Sequence, residues 1–361
     1  MTPPSSFTSR CWVAFAPSDM TDSPSGTFGT RFKTLVDSTR DGKVWDKLCT
    51  VSSSPTLPQE LALVEGPLPA GVAEGSILGL GPRAAGVQAL VELGLVPPDV
   101  LTGMTLHLLS RQPRRPQGSE PRKGAIEGGV WVREQVTYHA PMRIDEPLRV
   151  RGRALRRFSK KGRRYGVTVS ETRGADGRLL VSSCTTGLLS YRRDPDLADA
   201  NEGIAESEVD LPGPDWQAAR GNPCQARLGD VVLGEILSGE RTRVSLAMMQ
   251  QRDAGRDDNP IHTDPAVAER EGLAAPIAGG SHVLSFVQTR LMEEWGPECL
   301  LHGAHFDVRW IGQTYAESHI VPQARVVEAG PDRIGCEIHV EGDDRSLLRG
   351  RMVLPLTGEG D

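Results

Sequence analysis

The chain has 361 residues, with 41 Lys plus Arg against 47 Asp plus Glu, a formal charge of −6 and an apolar share of 38%. At that length folding buries roughly three quarters of the extended-chain surface, and the usual size of domains points to about two units. The acidic balance gives no electrostatic reason to expect nucleic acid as a partner. The apolar runs, far shorter than the ~20 residues of a bilayer span, argue against a membrane protein, and Trp12 to Ala16 is too short for a signal-peptide core.

Residues 1–50, with Pro3, Pro4, Pro17, Pro24 and many Ser and Thr, have weak periodicity and read as an N-terminal extension of undetermined order. Residues 51–193 read as a first structured unit. It opens with a helix predicted near Arg83 to Leu95, where Val87, Leu90, Val91 and Gly94 share a side. Strands follow: Leu148, Val150, Gly152 and Ala154 alternate with Arg149, Arg151 and Arg153, and Tyr165, Val167 and Val169 continue the period of two. Asp176-Gly177 then predicts a hairpin turn into Leu179 to Tyr191.

Residues 194–227, rich in Asp, Glu, Ala, Gly and Pro, read as a linker, and 228–361 as a second unit. Its helix is predicted over Ser281 to Trp295, with Leu284, Val287, Leu291 and Trp295 on one face and Gly296-Pro297 as the stop. Ile334, Cys336, Ile338 and Val340 alternate with polar residues, and Gly342-Asp343-Asp344 turns the chain into Leu347 to Leu354. A helix followed by an antiparallel meander, twice over, predicts an α+β fold of two curved antiparallel sheets, each wrapping a central helix.

Six cysteines (Cys11, Cys49, Cys184, Cys224, Cys299, Cys336) with no C-x-x-C spacing fit packing roles in a reducing, cytoplasmic compartment. The densest reactive cluster is Asp257-Asp258-Asn259-Pro260-Ile261-His262-Thr263-Asp264, on a loop that Pro260 keeps from becoming regular helix. A turn at Asn259-Pro260 can aim Asp257 and His262 at one water; the plainer alternative is an Asx turn capping a short helix over Pro265 to Glu271. In Pro276-Ile277-Ala278-Gly279-Gly280-Ser281 two glycines precede the long helix. Its first amides can cradle a developing oxyanion, or the glycines simply start the helix.

These residues resemble the MaoC-like (R)-specific enoyl-CoA hydratases and dehydratases. Asp257-x-Asn259-Pro260-Ile261-His262 is similar to the family's D-x-N-P-[LIV]-H, and Pro276-Ile277-Ala278-Gly279-Gly280 to its P-I-x-H-G. The resemblance implies a fused double hotdog over roughly 51–356, with a non-catalytic N-terminal half. It implies that Asp257 and His262 activate water, that Asn259 shapes the loop, and that the Gly280 amide holds the thioester oxygen, with Gly279 and Ser281 beside it. Arg256 stands where the family has glycine, and Gly279 where it has histidine. Arg256 is then placed to crowd the loop, to pair with Asp257, or to reach a substrate carboxylate.

The chemistry agrees with that implication. Hydrating a C2=C3 bond conjugated to a thioester needs a base for water, an acid for C2 and a donor for the enolate oxygen, with no metal or redox cofactor. The expected partner is an acyl-CoA or acyl-carrier thioester, coenzyme A entering only as part of the substrate; a homodimer stays open. A hotdog thioesterase and a non-catalytic acyl-thioester binder are the rival classes.

Other patterns carry less. Gly79-Leu80-Gly81-Pro82-Arg83-Ala84 with Asp99 mimics a dinucleotide fingerprint but lacks the flanking strands. His262 with Asp264, and His302 with His305, lack further ligands at metal-binding spacing. His282 reads as a packed residue or a substrate contact. Arg149 to Arg164 holds nine basic and no acidic residues, suited to a solvated sheet face or to coenzyme A phosphates.

Overall fold

The structure is a computed structural model that describes residues 57–61, 63–68, 71–103, 130–189, 193–204, 208–253 and 259–357. The expectation for residues 1–50 lies outside them.

Alternating strands form where the sequence alternates. Strands β1 (Gln59–Glu60) and β2 (Val64–Gly66) are followed by helices α1 (Val72–Leu80), α2 (Ala85–Glu92) and α3 (Pro98–Thr102). Next come β3 (Val130–Tyr138), β4 (Leu148–Lys160), β5 (Arg163–Gly174) and β6 (Leu179–Leu188). In β4, Leu148 and Val150 are buried while Arg149 and Arg151 are exposed, as a period of two requires. The β5–β6 turn contains Gly177 at φ +85°, a backbone state that glycine adopts without strain.

The expected linker is itself structured in part. Within it, β7 (Ala200–Gly203) pairs with β4, and α4 (Trp216–Ala219) and α5 (Gln225–Leu228) are short helices. Beyond it lie β8 (Ile236–Ser238), β9 (Thr242–Arg243), α6 (Leu246–Asp253), α7 (Pro265–Arg270) and α8 (Gly280–Trp295). Strands β10 (His305–Trp310), β11 (His319–Ala329), β12 (Arg333–Gly342) and β13 (Ser346–Pro355) close the fold.

The expectation of two sheets is corrected: the strands form one antiparallel sheet in the order β1-β4-β5-β6-β3-β10-β13-β12-β11-β8. The join is the β3–β10 pair, running from His305 opposite Thr137 to Arg309 opposite Arg133. Arg133, nearly inaccessible, donates from Nε to Asp307 Oδ1 at 2.7 Å and also pairs through Nη2 with Oδ2. An unpaired edge on either half would leave a row of N–H and C=O groups open, and joining the halves satisfies both rows.

Two central helices were also expected, and among the described residues only α8 answers to that description. Twelve of its sixteen residues are buried, from Ser281 to Trp295. The N-terminal unit carries the short α1 to α3 instead, among the described residues, because Gly81, Gly94 and the Pro97-Pro98 pair interrupt any longer helix. Helix α2 covers the Ala85–Glu92 core of the expected helix and buries Val87 and Leu90. A Cβ on Gly86 would meet the Thr289 carbonyl oxygen at 2.6 Å, so this glycine permits the close approach of α2 to α8. The fingerprint-like stretch is a helix exit and a 3-10 turn over Gly81–Arg83, and Asp99 is a buried residue of α3.

Candidate active site

The motif loop folds locally as its residues dictate. Asn259, in extended conformation, accepts at Oδ1 from the Ile261 amide at 3.2 Å, and Pro260 starts a single 3-10 turn ending at His262. Asp264 caps α7 through the amides of Ala266 and Val267, so the Asx-turn alternative describes Asn259 and Asp264 together. His262 is 8% exposed, and its Nδ1 donates to the Ile277 carbonyl at 2.7 Å. In the neutral ring that bond leaves Nε2 unprotonated. Arg256 and Asp257 lie outside the described residues.

His262 meets the start of α8. Residues 276–278 run beside 314–316, held by Ala278 N to Thr314 O and Ala316 N to Pro276 O, both 2.8 Å. This delivers Gly279 to the helix cap at φ −60° and ψ 149° with no side-chain cap, which leaves the first-turn amides as open donors. A Cβ on Gly279 would stand 3.8 Å from His262 Nε2, so the glycine leaves open the space beside the imidazole. Gly280 lies under two indoles: its Cβ would be 3.0 Å from Trp310 Cε2 and 3.2 Å from Trp131 Cε3, and Trp310 Nε1 donates to its carbonyl at 3.1 Å. The two tryptophans meet edge to face at 5.7 Å.

A cavity of about 50 Å³ lies between these groups, lined by His262, Gly279, Gly280, Ser281, Trp131 and Trp310 among others. At ~30 Å³ per water, it has room for one or two water molecules. Asn259 Nδ2 is buried with no hydrogen-bond partner among the described residues.

Sequence reasoning missed three residues here. Arg252, 1% exposed, donates from Nη2 to Ser281 Oγ at 2.7 Å and to Asp99 Oδ2 at 3.1 Å, and Ser76 Oγ reaches the same Asp99 oxygen at 2.9 Å. This buried network ties α1 and α3 to the first turn of α8. Its legible trace was Gly79, where a Cβ would collide with Arg252 Cβ at 2.5 Å. Trp131 and Trp310 left no such trace, since a tryptophan on a strand ordinarily reads as core. His282, by contrast, is packed: its Nε2 bonds the Gly79 carbonyl oxygen at 2.7 Å and its ring stacks on Phe286.

Searches among known proteins add to this geometry. A solved MaoC-like dehydratase superposes with a TM-score of 0.56 at 14% identity, covering 82% of this chain and 98% of that one. The peroxisomal multifunctional enzyme type 2 of Drosophila melanogaster gives 0.56 at 16%, covering 82% of this chain and 48% of that one. A conserved hypothetical protein of Mycobacterium tuberculosis with a double hotdog fold gives 0.53 at 14%, covering 81% and 94%. No curated protein matches by sequence. The fold is therefore hotdog-like and matches double-hotdog structures. Residues 238–346 match the family model described as the MaoC like domain.

Proposed function

We propose that the protein adds water to, or removes it from, the C2–C3 bond of an acyl thioester carried on coenzyme A or an acyl-carrier protein. In this reading 228–361 is the catalytic unit and 51–193 a non-catalytic companion, joined through 194–227. His262 Nε2 and the Asp257 carboxylate share one water; the base takes its proton as hydroxide bonds to C3, and the conjugate acid delivers a proton to C2. The Gly280 amide donates to the thioester oxygen as it gains enolate charge. Asn259 Nδ2 supplies a further donor, Gly279 leaves room for the acyl chain, and Ser281 is set by Arg252.

One observation carries the reading. The Ile277 carbonyl fixes the His262 tautomer with its lone pair on Nε2, toward an uncapped helix start. The small cavity between them, with room for a water, supports that reading.

Loss of enoyl absorbance from crotonyl-CoA and longer enoyl-CoA thioesters tests it. His262→Gln and Asp257→Asn are each expected to lower kcat by about 10²–10⁴. Full activity in either variant refutes the assignment, free thiol release that is lost in His262→Gln identifies a thioesterase at this site, and tight binding without turnover identifies a binding protein.

A further inference from the structure

A second cluster lies on the opposite face of the sheet, away from α8. Strands β5, β6, β3 and β10 set Glu171, Ser182, Thr137 and His305 side by side in one row, and His139 follows two residues after Thr137 on the same face. His139 Nε2 is 2.8 Å from Ser182 Oγ, and His139 Nδ1 is 2.6 Å from Asp215 Oδ2. An acid on one ring nitrogen and a hydroxyl on the other is the relay that turns a serine into a nucleophile. The carboxylate holds Nδ1–H, and Nε2 is left to accept the Oγ proton.

The three residues are held firmly. Asp215 Oδ1 caps α4 by accepting from the Gln217 and Ala218 amides, both at 3.0 Å. The segment before it is pinned to the sheet by Thr137 Oγ1 to the Gly213 carbonyl at 2.8 Å and by Asp215 N to the Gly303 carbonyl at 3.1 Å. Burial works against ionisation of Asp215, but the His139 bond and the two amides outweigh it and hold the carboxyl below its ordinary range. Ser182 is only partly buried and opens onto a cleft of about 640 Å³, walled by Leu211, Pro212 and Trp216 and floored by the sheet.

We propose that Ser182, His139 and Asp215 form a hydrolytic site, separate from the α8 cavity, for carboxylic esters or thioesters that carry an anionic group. Ser182 Oγ bonds to the ester carbonyl carbon as its proton passes to His139 Nε2. Collapse of the adduct expels the alcohol or thiol, which takes that proton. Water then attacks the acyl-serine, giving a proton to His139 that returns to Ser182 Oγ as the acid leaves. The Ser182 amide, in the middle of a strand paired on both sides, is committed to the ladder. Arg151, Arg153, Glu60, Glu171 and Asp210 all line the cleft, but Glu60 pairs with Arg153 at 3.9 Å and Glu171 with Arg173 at 2.9 Å, so the negative charge falls to Arg151. Arg151 lies across the row from Ser182 with only Glu171 between, and it has no ion-pair partner among the described residues, which suits it to an anionic substrate.

The test is labelling and turnover on the intact chain. A fluorophosphonate probe is expected to add to one residue, mapped by peptide mass to Ser182. Hydrolysis of p-nitrophenyl hemisuccinate is expected to fall at least about 100-fold in Ser182→Ala and in His139→Gln. Arg151→Gln is expected to raise KM for the hemisuccinate and to lower kcat for the hemisuccinate and p-nitrophenyl acetate alike. Absence of an adduct at Ser182, which needs no variant, overturns the proposal, and so does undiminished hydrolysis in Ser182→Ala. Either result reduces the three residues to a tie holding residues 210–216 on the sheet. Enoyl-CoA hydration should be unaffected in Ser182→Ala.

Discussion

The most quantitative consequence of the fold concerns Glu134. It is fully buried on β3, opposite Thr185 of β6 and Val308 of β10, beside the join between the two halves. Burial pushes its carboxyl from 4.5 up to about 8, against hydrogen bonding by Thr185 and Ser183. Between those two values the unfolded chain has released the proton and the folded chain still holds it, so the unfolded state binds fewer protons and stability falls as pH rises. The contribution is complete below pH 4.5 and is lost as pH passes through about 8. At 1.36 kcal/mol per unit, the interval from pH 5 to pH 8.5 carries roughly 4 kcal/mol. Glu134→Gln keeps the shape and removes the titration. Urea unfolding of both proteins across this range should show the variant gaining on the parent by about that amount. With a slope of ~3 kcal/mol/M, the midpoints separate by about 1 M. A difference that stays constant from pH 5 to pH 8.5 would mean that Glu134 is already ionised in the folded protein, and the burial argument would fail.

Two further outcomes follow from the site. Arg252→Met leaves the Asp99 carboxylate buried without its guanidinium and should cost about 3–5 kcal/mol by thermal or urea unfolding; adding Asp99→Asn should restore most of that. Gly280→Ala places a methyl 3.0–3.2 Å from both indoles, which should cost about 1–3 kcal/mol. By moving the first-turn amide it should also lower kcat for enoyl-CoA hydration more than it raises KM.

The strands from Leu148 to Leu188 and from Arg333 to Pro355 were readable because each buries one face, which writes burial into the sequence at every second residue. Helix α8 was readable to within one residue because Gly279 and Gly296 bracket it. The β3–β10 pairing was not. Strand β10 largely alternates while β3 is buried at its last six positions, and neither pattern names a neighbour. His262 and the first turn of α8 could be brought together from their motifs, but the Arg252–Asp99 pair could not. Its members lie 153 positions apart, and each looks like an ordinary surface charge until helices α1, α3 and α8 close over it. The Ser182, His139 and Asp215 set was invisible for the same reason, since three separate segments supply one residue each.

Because β3 and β10 are hydrogen-bonded neighbours, neither half stops at its own border. Severing the chain after residue 227 would bare the six-residue edge of β10 on one fragment and that of β3 on the other. Exposed edges of this kind recruit whatever strand is nearest. Expressed alone, each fragment would self-associate along its cut edge, and mixing the two should dissolve those assemblies into a one-to-one heterodimer. The tandem chain amounts to a dimer whose mate is guaranteed by covalent attachment, which frees its two members to diverge.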